Sequence, residues 1–274
     1  MKRYVSALTI AGSDPSGGAG LQADLKTFSA LGVYGATAIT AVTVQNTQGV
    51  KYVQKLPAQV VYDQIITVME DVRIDAVKVG MVNDAETLDA IVCAMSERKP
   101  KFLVVDPVMV STSGCALMQP DALAVMNERL LPLADLVTPN LPEAWTLAGT
   151  DTSVDDAAQA ILRLGVKSLL IKGGHAEGKA KTDCLYINKG GCARCVHLTA
   201  ETVNTKNTHG TGCTLSSAIA AFAARGCEFE DAVRKAKTYL TEALKAGADI
   251  VVGKGYGPVN HLFQPSSLMI KDEE

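Results

Sequence analysis

Short apolar runs alternate along the chain with longer segments in which apolar residues recur at helical spacing. The first run, residues 6–11, is rich in β-branched residues and ends at Gly12. After it, leucine and phenylalanine recur every three or four residues up to Leu31. The first pattern predicts a strand and the second predicts a helix. Continuous apolar strands, such as residues 102–105 further along the chain, are typical of a sheet that is covered on both faces.

The same alternation continues to the end of the chain. Further strands are predicted at residues 36–44, 75–79, 102–105, 136–137, 168–171 and 184–187. Further helices are predicted at residues 60–72, 85–96, 142–148, 154–164, 214–224 and 229–246. Strands separated by helices indicate βαβ units, so we expect a doubly wound α/β fold with a mostly parallel central sheet. In such folds ligands bind beyond the carboxyl ends of the strands.

Composition and charge narrow the class of protein. Of the 274 residues, 47% are hydrophobic and 20% are charged, and the formal net charge is −3. This is the composition of a globular chain, and the near-neutral charge argues against a nucleic-acid partner. Ser6 and Thr9 interrupt the first apolar run, so no signal peptide is expected. No stretch is long enough for a transmembrane helix, so no membrane partner is expected either.

Seven cysteines are scattered along the chain, at positions 93, 115, 184, 192, 195, 213 and 227. An odd, scattered set is typical of free thiols in a reducing compartment, so we expect a cytoplasmic protein. Cys192 and Cys195 with His197 imitate a zinc knuckle, but no second pair follows at zinc-site spacing. We therefore interpret this segment as a structural hairpin.

A glycine loop, residues 12–20, leads into the first predicted helix, which contains Asp24. It holds four glycines in nine residues, which permits close approach of the backbone to a ligand. The alternative is a flexible turn, with Asp24 a charge favoured by the positive end of the helix dipole.

A second loop, residues 208–214, which we call the anion loop, precedes an apolar helix. Backbone amides of Gly210, Thr211 and Gly212 at a helix start form a cradle suited to a phosphate. The same dipole would favour the thiolate form of Cys213. The alternative is an ordinary helix cap with a buried, inert thiol.

Two carboxylates and a lysine follow further predicted strands. Asp106 ends one apolar strand, and Glu143 lies in the segment after another. Carboxylates at neighbouring strand ends could hold Mg²⁺ together with substrate phosphates, or could cap a helix or form salt bridges. Lys172 could reach phosphate oxygens as a point charge. A Walker-like spacing from Gly173 to Lys179 is rejected, because alanine stands at position 180 where a Walker loop carries Ser or Thr.

Several long stretches are specific enough to point to one family. They are LTIAGSDPSGGAGLQADLKTF (8–28), QNT (45–47), VGM (79–81), DPVM (106–109), TPNLPEA (138–144), NTKNTHGTGCTLS (204–216) and GKGYGPVNH (253–261). They resemble the hydroxymethylpyrimidine/phosphomethylpyrimidine kinases of thiamin biosynthesis over residues 5–263. Residues 264–274 lie outside the resemblance, and we expect them to form a disordered tail.

The resemblance implies a ribokinase-like fold in a single kinase domain over residues 1–263, usually a homodimer. It implies ATP-dependent phosphorylation of 4-amino-5-hydroxymethyl-2-methylpyrimidine, with Mg²⁺ as cofactor. A second phosphorylation then converts the monophosphate into the diphosphate.

The resemblance also assigns the substrate site. Gln45 would read the pyrimidine edge by paired hydrogen bonds, since an amide offers both a donor and an acceptor. Asp24 would hold the hydroxymethyl side or the ring, with Gly12, Met81 and Val108 lining the pocket.

The phosphate machinery follows from the same resemblance. Asp106 and Glu143 would organise Mg²⁺, and Lys172 would meet the ATP phosphates. The amides of Gly210, Thr211 and Gly212 would form the anion hole, with Thr211 also part of the ATP site. Cys213 would be catalytic, because most sugar kinases of this superfamily carry the aspartate base at that position.

Two alternative functions stay open. The first is pyridoxal kinase, since pyridoxal also offers a hydroxymethyl group and a ring nitrogen, and some pyridoxal kinases share the cysteine at position 213. The second is a catalytically silent pyrimidine-binding protein. The presence of Asp106, Glu143, Lys172 and the anion loop argues against it, because a binder has no need of phosphate machinery.

Overall fold

The computed structural model describes residues 1–111, 113–151, 153–173, 180–189 and 192–272. The strands are β1 (Lys2–Tyr4), β2 (Ser6–Ser13), β3 (Tyr34–Asn46), β4 (Gly49–Lys55), β5 (Ala76–Val79), β6 (Leu103–Val105), β7 (Leu136–Val137), β8 (Ser168–Ile171), β9 (Ala180–Lys189), β10 (Cys192–Glu201) and β11 (Ile270–Asp272). The α-helices are α1 (Gly20–Ala30), α2 (Ala58–Asp71), α3 (Ala85–Glu97), α4 (Ala122–Val125), α5 (Leu141–Ala148), α6 (Val154–Arg163), α7 (Thr211–Ala224) and α8 (Phe229–Gly247).

Nine strands form one sheet in the order β10-β9-β8-β7-β6-β5-β2-β3-β4. The six strands from β8 to β3 pair in parallel, whereas β4, β9 and β10 are antiparallel to their neighbours. The chain leaves β2 toward β3 on one side and later continues from β5 on the other. The expected doubly wound, mostly parallel sheet is confirmed, with its switch point between β2 and β5.

Helices cover both faces of the sheet. On one face, Phe28 of α1, Ile219 of α7 and Val233 of α8 belong to one buried core. On the other face, Ile65 of α2 and Ile91 of α3 belong to a second core. This two-sided burial explains why the central strands read as uninterrupted apolar runs.

The elements that the apolar pattern did not predict include β1, β4 and two turns before β7. Strand β4 lies at the sheet edge with mostly exposed side chains, so it shows no buried face. Between α4 and β7 the chain forms a π-helical turn, Met126–Leu130, and a 3₁₀ turn, Leu131–Leu133, whose period differs from that of an α-helix. Strand β1 is three residues long.

The prediction of a disordered tail is wrong for residues 264–272. Strand β11 pairs antiparallel with β1, and the Val5 amide donates to the Met269 carbonyl at 2.9 Å. Lys271 Nζ lies 2.6 Å from a carboxylate oxygen of Asp75, to which Arg3 also binds. The partners of the tail lie at the other end of the chain, so local sequence gives no sign of them.

Two further expectations concern the state of the cysteines and membrane-spanning helices. The six cysteines whose side chains are described are all free. In the described ranges, no helix combines the length and the apolar character required to cross a bilayer.

Candidate active site

A cleft of about 730 Å³ opens beyond the carboxyl ends of β2, β5, β6 and β8, at the switch point of the sheet. Its lining brings together every residue that the sequence assigned to the site except Asp24. These residues are Gly12, Gln45, Met81, Asp106, Val108, Glu143, Lys172, Gly210, Thr211, Gly212 and Cys213.

One end of the cleft has an apolar floor. Met81 and Leu117 form a small buried cluster with Ala41, and Val108 packs against it. A Cβ at Gly12 would lie 3.0 Å from the Met81 sulfur, so glycine at this position lets the methionine pack against β2. A flat apolar floor of this kind suits an aromatic ring.

Gln45 supplies a polar edge above this floor. Its Oε1 lies 3.1 Å from the Thr43 hydroxyl, and its Nε2 lies 3.4 Å from His209 Nε2. The Thr43 hydroxyl also has a shorter contact, 2.8 Å, to the Ser13 carbonyl oxygen. The internal contacts of the amide are therefore long, and a ring with a donor and an acceptor on one edge can replace them.

Asp14 joins the glycine loop to the anion loop, and sequence reasoning missed it. Its carboxylate lies 2.8 Å from His209 Nε2 and accepts from the amides of Gly18 and Ala19 and from Ser16. Burial raises the pKa of Asp14, but the hydrogen bonds from His209, Ser16 and Ala19 outweigh it and lower the pKa to about 2. An aspartate among glycines was a signal, but the loop pattern alone does not identify its partner.

The anion loop has the form that the sequence predicted. Gly210 has φ 78° and precedes α7, and a Cβ there would lie 1.9 Å from the Gly18 carbonyl oxygen. A Cβ at Gly212 would lie 3.2 Å from Lys172 Nζ and 3.5 Å from Asp106 Oδ2. Glycine is therefore required at position 210, and a side chain at position 212 would crowd Lys172, so the start of α7 lies beside the lysine and the carboxylate of the cleft.

Lys172 and Asp106 form an ion pair at the centre of the cleft. Lys172 Nζ lies 2.8 Å from Asp106 Oδ1 and 4.0 Å from Glu143 Oε2. Burial raises the pKa of Asp106, but Lys172 and Lys78 outweigh it and hold the pKa of that carboxyl below its usual range. Asp106 is therefore ionised at neutral pH.

Besides lining the cleft, Glu143 caps a helix. It forms a capping box at the start of α5, in which its carboxylate accepts from the Asn140 amide at 2.8 Å. Burial raises its pKa, Lys172 opposes that rise, and the nearby Asp106 charge adds to it. The structure thus shows the salt bridge and the helix cap that the sequence left open. The paired carboxylates also offer the hard oxygen donors that Mg²⁺ prefers.

The other end of the cleft contains residues for which the sequence gave no signal. Asp183 of β9 accepts from the Gly173 amide at 2.8 Å and pairs with Lys237 Nζ of α8 at 2.6 Å. Leu240 and Leu244 of α8 line the same end. The rejected Walker spacing and the rest of the loop after Gly173 fall on residues 174–179, outside the described residues.

The assignment of Asp24 to the substrate pocket is wrong. Its side chain is 0% exposed, and both carboxylate oxygens lie within 2.9 Å of Lys78 Nζ. Thr9 and Ser217 donate to the same carboxylate, each at 2.6 Å. Helix α1 turns Asp24 toward the sheet, where Lys78 rises from β5. The sequence signal for a buried ion pair was Lys78, a lysine inside an apolar strand.

The expectation of a Cys213 thiolate is also wrong. Burial raises the pKa of this thiol to about 11, and Asp24 and Asp106 add to the rise. Lys78 and a hydrogen bond with the Gly20 backbone lower the pKa by less. The resting group facing the cleft is therefore the neutral thiol.

Comparison with known proteins agrees with this geometry. The sequence matches the family described as phosphomethylpyrimidine kinase over residues 14–260. A hydroxymethylpyrimidine/phosphomethylpyrimidine kinase of Rhizobium meliloti is 50% identical over 260 residues, which cover 93% of this chain and 96% of that protein.

Similar solved structures include a phosphomethylpyrimidine kinase and pyridoxal kinases. The crystal structure of a phosphomethylpyrimidine kinase from Clostridium difficile 630 is 45% identical, with a TM-score of 0.75, and the match covers 87% of this chain and 99% of that chain. The pyridoxal kinase of Staphylococcus aureus, in complex with AMP-PCP and pyridoxal, is 34% identical with a TM-score of 0.83. That match covers 97% of this chain and 98% of the other.

Proposed function

This chain belongs to the phosphomethylpyrimidine kinase family and is a hydroxymethylpyrimidine and phosphomethylpyrimidine kinase of thiamin biosynthesis; we propose that the cleft described above carries out its reaction. ATP is the phosphoryl donor. The acceptor is 4-amino-5-hydroxymethyl-2-methylpyrimidine and then its monophosphate, which becomes the diphosphate. One observation carries the assignment to the cleft: an apolar floor with an amide edge lies beside an anion loop that faces a lysine.

We assign the pyrimidine to the end of the cleft formed by Gly12, Gln45, Met81 and Val108. Met81 and Val108 contact the ring faces, and the Gln45 amide pairs with the aminopyrimidine edge. This orientation turns the hydroxymethyl group toward the anion loop. Gly12 has no side chain, which leaves room for Met81 beside the ring.

We assign the phosphate groups to the anion loop and Lys172. Amides of Gly210, Thr211 and Gly212 stabilise the oxygens of the transferring group, and Thr211 also contacts ATP. Lys172 neutralises the charge that spreads over those oxygens. Phosphoryl transfer depends mainly on such positioning and charge stabilisation.

Asp106 and Glu143 would hold Mg²⁺. The low pKa of Asp106 keeps it anionic, and a cation would favour the ionised form of Glu143 as well. Bound magnesium supplies neutralisation of the phosphate charge.

Cys213 acts as a catalytic residue by orienting the acceptor hydroxyl. It lies three residues into the anion loop from Gly210 and lines the cleft. As a neutral thiol it cannot start the reaction as an ionised base. A loose phosphoryl-transfer transition state needs little proton removal before the new bond forms, so a hydrogen bond that directs the hydroxyl is sufficient.

Residues 1–263 form a single kinase domain that works as a cytoplasmic homodimer. The dimer is supported by exposed apolar side chains on β3 and on the edge strand β4, among them Val42, Val44 and Tyr52. Light scattering on the purified chain measures the oligomeric state, and a monomer at micromolar concentration would contradict this part.

The decisive experiment is ATP-dependent phosphate transfer by the purified chain, with hydroxymethylpyrimidine, its monophosphate and pyridoxal offered in parallel. Turnover of both pyrimidines with slow use of pyridoxal is expected. The Lys172→Met variant reports contaminating kinases, and Lys167→Met, an exposed lysine paired with Asp135, is the matched control for loss of one positive charge. Efficient use of pyridoxal without turnover of the monophosphate would instead identify a pyridoxal kinase. No turnover of any substrate would identify a silent binder.

A further inference from the structure

Three soft metal ligands meet on the hairpin at the end of the sheet. Cys184 lies on β9, and Cys195 and His197 lie on β10. The Cys184 sulfur is 3.5 Å from His197 Nδ1. One ligand atom from each of the three residues lies within 4.8 Å of the other two.

The strand register creates this cluster. In the antiparallel ladder Cys184 is opposite His197, and Cys195 is opposite Tyr186. Side chains two residues apart on a strand point to the same face, so all three ligands leave one face of the hairpin. The same face carries Tyr186, whose hydroxyl donates to Asp155 at the start of α6. Strand pairing therefore holds the donors in place without any bound group.

The geometry points to a binding site for one zinc ion, and we propose that Cys184, Cys195 and His197 are its ligands. Two thiolates and one imidazole are a donor set that zinc favours, whereas magnesium prefers oxygen. With three protein ligands, a fourth position remains for water. In the part of the chain that the structure describes, no other group of three His, Cys, Asp or Glu side chains has this proximity.

A bound zinc ion would replace the protons of both thiols, so binding would release protons.

The sequence argument against a metal site here considered only ligands spaced along one segment. A knuckle built from Cys192, Cys195 and His197 lacks a second pair at zinc-site spacing. The missing thiol comes from Cys184 on the neighbouring strand, eleven positions before Cys195 in the sequence. Spacing along one segment does not reveal such a cross-strand ligand.

The site is separate from the phosphate cleft but shares a strand with it. Lys181 and Asp183 at the start of β9 line the cleft, whereas Cys184 points to the opposite face. Zinc would link β9 to β10 and stabilise the folded chain by an amount that rises with the free zinc concentration.

The test is titration of the reduced, metal-free chain with Co²⁺ and then Zn²⁺. We expect one Co²⁺ per chain, an intense thiolate-to-cobalt absorption band in the near ultraviolet, and its loss when Zn²⁺ is added. Thermal unfolding followed by circular dichroism should shift to higher temperature with Zn²⁺ and not with Mg²⁺. These readouts do not depend on kinase activity.

Variants assign the ligands. Cys184→Ser and Cys195→Ser should each weaken Zn²⁺ binding by more than about 100-fold, beyond the usual loss on removing a supporting group. His197→Cys should retain the cobalt band, because it replaces one soft donor with another. Cys93→Ser and Cys227→Ser, which change free cysteines elsewhere, are matched controls and should bind as the unaltered chain does.

Three results would overturn the site. They are the absence of a cobalt band in the unaltered chain, persistence of the band in Cys184→Ser, and a Cys184–Cys195 disulfide that resists reducing agent.

Discussion

Two lysine–aspartate ion pairs lie on either side of Cys213, and they differ in their access to solvent. Lys78 pairs with Asp24 at 2.8 Å, and neither side chain is exposed at all. Lys172 pairs with Asp106 at the same distance, but 15% of the Lys172 side chain is exposed, in the cleft. Consecutive serines of α7 contact the two aspartates, Ser217 reaching Asp24 and Ser216 reaching Asp106.

The difference lies in access to solvent, since each aspartate accepts from one lysine and two hydroxyls. Asp24 accepts from Lys78, Thr9 and Ser217, and both members of its ion pair are fully buried, so its carboxylate is closed to a ligand. Burial alone would lower the pKa of Lys78, yet the Asp24 carboxylate raises it, which keeps the pair ionised. Lys172 reaches the cleft and can turn donors to a phosphate. Similar ion pairs thus serve stability in one place and, as we propose, the reaction in the other.

The largest expected effect is loss of stability when the closed pair is broken. Lys78→Met leaves the Asp24 carboxylate buried without its cation, which should lower the free energy of unfolding by about 3–5 kcal/mol. Urea unfolding at pH 7 measures this change. The double variant Lys78→Met/Asp24→Asn should recover part of the loss, since the uncompensated charge is gone.

The exposed pair Lys167–Asp135 provides the control, and Lys167→Met should lower stability by no more than about 1 kcal/mol. If Lys78→Met kept full stability while turnover collapsed, the closed pair would belong to the reaction and the comparison would fail.

The second effect is on turnover, at the open pair. Lys172→Met should reduce kcat by about 10²–10³-fold, the usual loss when one charge-stabilising donor is removed. Stability should change less than in Lys78→Met, because Lys172 is 15% exposed to the cleft and its removal lets water approach the Asp106 carboxylate. Steady-state kinetics with saturating pyrimidine and ATP measure kcat. A large loss of stability with kcat preserved would show that the two pairs do the same work.

The third effect concerns the thiol between the pairs. Cys213→Ala should lower kcat on the order of 10- to 100-fold through loss of hydroxyl orientation, with the KM for the pyrimidine unchanged. The pKa of this thiol is about 11, so an ionised Cys213 would make the rate rise tenfold per pH unit across neutrality. We expect no such rise in the unaltered chain. A rate that climbs with pH and loses that slope in Cys213→Ala would restore the thiolate as base.

The smaller of the two stability effects comes from a third hydroxyl of α7, which contacts a neutral group instead of an ion. Thr214 Oγ1 lies 3.0 Å from His261 Nε2, and burial, with a smaller effect of Lys26, lowers the pKa of His261 from 6.5 to about 4. A depressed pKa means that the neutral histidine stabilises the fold above pH 6.5. This stability is lost as the pH falls toward 4, because the unfolded chain takes up the proton first.

The loss should amount to at most about 3 kcal/mol. Urea unfolding between pH 7 and pH 4 measures it, and His261→Gln should flatten the slope in that range. Asp14 and Asp75, whose pKa values are about 2, lose their contributions only below pH 4, because the unfolded values lie near 3.8. An equal slope in His261→Gln would exclude this histidine as the cause.

The sequence by itself determined the layered fold and most of the site. Alternating apolar runs fixed the parallel strands and their covering helices, since burial on two faces leaves a periodic trace. Glycines fixed the anion loop, because Gly210 at φ 78° tolerates no side chain and Gly212 lies close to Lys172. These are properties of local backbone geometry, which depends on residues that are consecutive in the sequence.

Only the tertiary structure decided which side chains meet. Asp24 is buried in an ion pair with Lys78, 54 positions away in the sequence, and does not line the cleft. Asp14 contacts His209, which is 195 positions away in the sequence. Lys271 pairs with Asp75, which holds the C-terminal tail against the domain. Cys184 lies beside Cys195 and His197 of β10. A side chain's role depends on its partners and its access to solvent. Both are set by packing between segments far apart in the chain, which no local pattern records.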